Sequence, residues 1–147
     1  MKETIRILLA DDDEDDRNFF REALEELKMN TEVTFKNDGQ QLMDYLSLPD
    51  IELPHLIFLD LNMPLKSGMQ CLKEIREDKR LKQLSVAIYS TSASDEHIED
   101  TFIKGANVYI RKPNDFTTLK KVLHEVISVN WQYQTSALNK ENFLFSI

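Results

Sequence analysis

Apolar runs alternate with amphipathic, helix-period stretches along most of the chain. Ile5 to Ala10 reads as a buried first strand. Phe20, Ala23, Leu24 and Leu27 then recur at the spacing of one helix face. Glu32 to Phe35 forms a short second strand. Asn37-Asp38-Gly39 supplies turn and cap chemistry, and Leu42, Tyr45 and Leu46 continue as a second helix face. Pro49 and Pro54 bracket a loop before the apolar third strand, His55 to Leu59. Gly68, Cys71, Leu72 and Ile75 mark a third helix, and Val86 to Tyr89 a fourth strand. Asp95 is expected to cap a weak fourth helix carrying Ile98 and Phe102. Val108 to Ile110 is the fifth strand. Leu119, Val122, Leu123, Val126 and Ile127 define a fifth helix.

The pattern is strand–helix repeated five times. Strands that are apolar on both faces and separated by helices predict a doubly wound α/β fold, a parallel sheet covered on both sides. Right-handed crossovers leave few topologies. In such sheets ligands bind beyond the carboxyl ends of the strands, so the residue after each strand carries the functional question.

Those residues are polar. Asp11-Asp12-Asp13-Glu14-Asp15-Asp16 follows the first strand, and Asp60-Leu61-Asn62-Met63-Pro64 follows the third. Ser90-Thr91-Ser92 closes the fourth, and Arg111-Lys112-Pro113 the fifth. Carboxylates brought into one cleft repel one another and call for a cation. Mg²⁺ suits them, because it takes one or two carboxylates, keeps several waters and leaves room for a phosphate. His55, His97 and His124 are too scattered to hold zinc. Lys112 as a fixed positive charge and Ser90 as a hydroxyl donor would complete a phosphoryl-binding set. Asp60, ending a wholly apolar strand, is the expected nucleophile.

Each group has a plainer reading alone. The acidic run could merely open the first helix, where negative charge is favoured, and Asp15 and Asp16 are read as surface residues in either case. Asp60 could be a loop cap, Ser90 an ordinary strand-end serine and Lys112 a surface lysine. Their placement at successive strand ends is what argues for a shared site.

Taken together, these pieces resemble the response-regulator receiver family. The matching stretches are Ile7-Leu8-Leu9-Ala10-Asp11-Asp12, Leu59-Asp60-Leu61-Asn62-Met63-Pro64, Ser90-Thr91, Gly105-Ala106 and Tyr109-Ile110-Arg111-Lys112-Pro113. The spacings from Asp60 to Ser90 and to Lys112 agree as well. Glu14-Asp15-Asp16 and the long loop before the third strand resemble single-domain regulators of the cyanobacterial-phytochrome type. The resemblance implies a five-stranded sheet in the flavodoxin-like order 2-1-3-4-5. It implies that Asp60 accepts phosphate from a histidine kinase or phosphotransfer protein. Asp11, Asp12, Asp60 and the backbone carbonyl of Asn62 would hold Mg²⁺. Ser90, Thr91 and Lys112 would bind the phosphoryl group, and Ser90 and Tyr109 would move as the switch. Asn62 and Ser92 would tune hydrolysis of the acyl phosphate. Lys112–Pro113 would be a cis peptide, and Gly105 would cap the fourth helix. Ser90 stands where threonine is more frequent, and Tyr89 where Leu or Val is; neither removes a required group.

Composition narrows the class. The chain has 147 residues, 41% hydrophobic and 30% charged, enough for one globular domain. Its net charge of −8 makes a nucleic-acid partner unexpected. No apolar run approaches membrane length, no signal-peptide pattern opens the chain, and one cysteine, Cys71, is read as core packing; a cytoplasmic location is expected. Residues 1–130 are read as the receiver domain. Residues 131–147 are read as an aromatic tail with no output domain, so output is expected through contact with a downstream protein. That tail, with Trp131, Tyr133, Leu138, Phe143, Leu144, Phe145 and Ile147, is expected to pack back or to cross to a second copy, a homodimer. The competing class is a Mg²⁺-dependent aspartyl-phosphate phosphohydrolase of the haloacid dehalogenase type. That pattern wants an aspartate two residues after the nucleophile, where this chain has Asn62. A decayed interaction module and a nucleotide-binding flavodoxin-like protein are weaker, the latter because no Gly-rich loop follows the first strand.

Overall fold

The computed structural model describes residues 4–92, 94–133 and 144–145. The elements run β1 (Ile5–Ala10), α1 (Glu14–Leu27), β2 (Thr31–Lys36), α2 (Gly39–Leu46), β3 (Leu56–Leu59) and α3 (Gly68–Glu77). They continue with β4 (Ser85–Ser90), α4 (Asp95–Ile103), β5 (Val108–Arg111), α5 (Phe116–Tyr133) and β6 (Leu144–Phe145). All pairings are parallel, and the order is β2-β1-β3-β4-β5-β6. Five strands therefore stand in the expected 2-1-3-4-5 arrangement. The two-residue β6 is an addition that periodicity did not predict. It pairs Tyr109 with Leu144 and Ile110 with Phe145, and so covers part of an edge that would otherwise present unpaired backbone groups. Helix α5 runs on to Tyr133. Leu138, Phe143 and Ile147 lie outside the described residues.

Period-two alternation divides the core. Ile7, Leu9, Phe58, Ala87, Tyr89 and Ile110 face α1 and α5. Leu8, Ala10, Ile57, Leu59, Val86 and Ile88 face the opposite layer with α2 and α3. Under the site, Phe20 of α1 meets the rings of Phe58 and Tyr89 edge-on, with centroids 5.0 and 5.7 Å away. Cys71 is buried on the core face of α3, as read, and burial pushes its thiol up to about 12.

Caps fix where each helix begins. Asp13 accepts from the Asp16 N–H at the start of α1, and Asp38 from the Gln41 N–H at the start of α2. Helix α4 is capped by Ser94, whose hydroxyl accepts from His97 N–H; Asp95, expected in that role, is the first helical residue. Gly105 follows α4 with φ +96°, a conformation that glycine adopts freely.

Candidate functional site

Register brings the strand ends together. Ala10 pairs with Leu59, and the ladder continues one residue further, because Asp60 N–H donates to Ala10 O at 3.0 Å. Asp11 N–H likewise donates to Lys36 O at 3.0 Å, and Lys112 N–H to Ser90 O at 2.8 Å. Asp11, Asp60 and Lys112 are therefore placed by the sheet itself.

The carboxylates of Asp11, Asp12 and Asp60 each offer an oxygen within 4.8 Å of the others. Asp11 and Asp60 are buried and Asp12 is exposed. Asp11 Oδ1 accepts from the Asp13 N–H, but the buried Oδ2 has no aligned hydrogen-bond donor. Lys112 Nζ lies at ion-pair distance from it, 2.8 Å, outside hydrogen-bond alignment. A buried carboxylate oxygen left in this way suits a hard cation with oxygen ligands. Asn62 is exposed, and its N–H reaches Asp60 Oδ1 at 3.4 Å.

Lys112 is the cation these groups share. Its ammonium lies 2.8 Å from Asp11, 2.8 Å from Asp16 and 3.4 Å from Asp60, and 5.4 Å from the centre of the Tyr89 ring. Burial pulls its basicity down, and the Asp11 and Asp16 contacts more than offset that, so the ammonium stays charged. Burial pushes the Asp60 carboxyl up to about 7; Lys112 opposes the shift and Asp11 adds to it.

A second group sits beside the first. Ser90 is fully buried, and its Oγ accepts from the Ser92 N–H at 3.2 Å. Tyr109 is packed inward, fully buried, with its hydroxyl donating to Ser92 O at 2.6 Å. Burial raises the Tyr109 phenol, hydrogen bonds with Ser90 and Ser92 lower it, and the Asp60 charge raises it again, which ties the two groups electrostatically. Thr91 is exposed.

Three readings need correction. Asp16 is not a free surface residue, because its carboxylate accepts from Lys112. The signal was present: Asp16, Phe20, Ala23 and Leu27 share one stripe of α1. His97, given no role from sequence, is half-buried and bonds Ser92 Oγ through Nδ1 at 2.8 Å. It stands one turn before Thr101, the buried residue of α4. The Lys112–Pro113 bond is trans, not cis, since no described peptide bond is cis. Trans is intrinsically favoured even before proline, and in that form Lys112 already reaches the three carboxylates.

Residues 7–124 match the family model for the response regulator receiver domain. The chain belongs to the response regulator receiver family. It is 31% identical over 126 residues to chemotaxis protein CheY-3 of Vibrio cholerae, covering 86% of this chain and 94% of that protein. It is 29% identical over 126 residues to response regulator Rcp1 of Synechocystis sp., covering 83% and 86%. The crystal structure of the Mn(2+)-bound form of Rcp1 superposes with a TM-score of 0.76 at 27% identity, covering 92% of this chain and 99% of that one. The phosphorylated cyanobacterial phytochrome response regulator RcpA gives 0.77 at 30% identity, covering 92% and 98%. This receiver domain is thus a signalling module of two-component phosphorelays, and its acidic cluster is one that could hold a divalent metal. Among the described residues no helix is long and apolar enough to cross a membrane.

The position of Asp60 sets a pH dependence. A carboxyl raised from 3.8 to about 7 binds its proton more tightly in the folded state. Its contribution to stability is full at acid pH and is lost as pH rises through about 7. With EDTA present, the melting temperature of Asp60→Asn should therefore pull ahead of wild type between about pH 4 and pH 7 and keep that lead above it. Mg²⁺ should close the gap by binding the ionised form. Thermal melts of both proteins check this, and parallel curves would contradict it.

Proposed function

We propose that this receiver accepts a phosphoryl group on Asp60 from the phosphohistidine of a histidine kinase or phosphotransfer protein. The observation that carries the reading is Lys112 Nζ at 3.4 Å from Asp60, beside the Asp11–Asp12 carboxylates. Asp60 Oδ attacks phosphorus, a P–O bond forms, and the P–N bond to the donor imidazole breaks. The electron pair returns to that nitrogen, and the acyl phosphate remains on Asp60. Asp11, Asp12, Asp60 and the Asn62 carbonyl would hold Mg²⁺, which would supply charge neutralisation for the phosphoryl oxygens. The Mn(2+)-bound Rcp1 and the phosphorylated RcpA support that reading by similarity.

The chain's own residues do the rest. Lys112 is placed beside the acceptor by the strand ladder, so its charge stands within a short shift of the phosphoryl group. Ser90 donates its hydroxyl to the phosphoryl group, Thr91 helps bind it, and Asn62 and Ser92 tune its hydrolysis, so that the domain takes part in its own dephosphorylation. When Ser90 moves towards the new charge, its contact with Tyr109 changes and the α4–β5–α5 surface shifts its affinity for a downstream protein. Residues 1–130 carry this function in the cytoplasm. The tail from 131 supports contact with the domain or with a second copy.

Incubation with acetyl phosphate and Mg²⁺, followed by intact mass, tests the acceptor. Wild type should gain one phosphoryl group and Asp60→Asn none. Steady phosphate release from many unrelated phosphoesters would favour the hydrolase reading.

A further inference from the structure

Lys112 carries three N–H donors, and three carboxylates stand within reach of them. Two of these have duties elsewhere: Asp11 and Asp60 belong to the acidic trio, and a bound cation would take up much of their charge. Asp16 stands outside that trio. Its carboxylate has the shortest aligned hydrogen bond to Lys112, 2.8 Å against 3.4 Å for Asp60.

We propose that Asp16 is a positioning residue that competes with the phosphoryl group on Asp60 for the ammonium of Lys112. The inference rests on Asp60 as phosphoacceptor and adds a residue that limits how firmly the phosphoryl group is held.

The local structure makes Asp16 a fixed competitor. It lies in the first turn of α1, where its N–H is held by the Asp13 cap at 3.1 Å and negative charge is favoured. Its side chain is 34% exposed and that of Lys112 is 9% exposed, so water screens the pair only on one side. A phosphoryl group arriving on Asp60 must draw a donor from Lys112, and the ammonium moves against the pull of Asp16. The same negative charge repels the incoming dianion. Both effects have one sign: Asp16 weakens anion binding at Asp60.

Beryllofluoride, which occupies an acceptor carboxylate as a phosphoryl analogue, probes this without a chemical step. With the full chain at saturating Mg²⁺, ¹⁹F NMR titration should show Asp16→Asn binding it roughly three- to tenfold more tightly than wild type. Asp16→Glu, which keeps the charge, should return towards wild type. Asp15→Asn, the same charge change at an exposed neighbour, should stay within about twofold. Equal affinity in wild type and Asp16→Asn, or weaker binding in the variant, overturns the proposal. So does an equal gain in Asp15→Asn, which would assign the effect to net charge. A parallel Mg²⁺ titration without the analogue should move little. If Asp16→Asn instead loses about tenfold in Mg²⁺ affinity while its analogue affinity is unmoved, Asp16 serves the metal and the proposal fails. Wild type that binds no analogue removes the phosphoacceptor reading itself, whereas wild-type binding with an unmoved variant removes only the role of Asp16.

Discussion

Lys112→Ala should cost about 3 kcal/mol of stability in EDTA and lower the phosphorylation rate about a hundredfold in Mg²⁺. The stability loss follows from what stays behind. Asp11, Asp16 and Asp60 lie within 3.4 Å of the ammonium. Removing it leaves buried carboxylates facing one another, and breaking a buried pair from one side costs more than the pair itself contributes. The loss should shrink when Mg²⁺ is added, because a second cation then serves the same acids. The rate loss has a separate origin, since it removes a charge held where phosphoryl charge gathers in the transition state. Chemical denaturation with and without Mg²⁺ reads the first effect, and acetyl phosphate labelling followed by mass reads the second. A variant with wild-type stability in EDTA would show that Lys112 does not hold the acids together.

Gly68→Ala should be the most damaging small substitution beside the site. At many helix starts, Gly→Ala gains about 0.4–1 kcal/mol by restricting the unfolded chain. Here a Cβ would strike the carbonyl oxygen of Asp60, and would sit 2.8 Å from Leu61 Cα and 2.9 Å from Asp60 C. All of these are backbone atoms and cannot rotate away. The close approach is fixed by Gly68 N–H donating to Leu61 O at 3.0 Å. Relief requires moving α3 or the Asp60 peptide itself, so a loss above about 2 kcal/mol is expected, with slower acetyl phosphate labelling. A melting temperature equal to wild type would show that the turn yields without strain.

Much of the fold was legible because a buried parallel strand must be apolar on both faces. Ile57, Phe58 and Leu59 could hardly be anything else. The acidic trio and Lys112 were legible for a related reason, since charge directly after such a strand has only the sheet's edge to occupy. Asp16 was misread because it was treated as part of a charge run and not as a member of the α1 stripe. His97 was passed over in the same way, although Thr101 marks its face of α4 as the buried one. The cap of α4 was placed one residue late because serine and aspartate both qualify, and only the φ/ψ change separates them. Strand β6 has no periodicity to read in two residues.

Ser92 has neighbours on both sides. Its carbonyl receives the Tyr109 hydroxyl, and its own hydroxyl meets the imidazole of His97 on α4. If the ring leaves its pocket, that carbonyl loses a donor; if the helix shifts, the serine hydroxyl loses a partner. One residue thus stands between the Tyr109 hydroxyl and α4, and any coupling between those two positions must run equally in both directions.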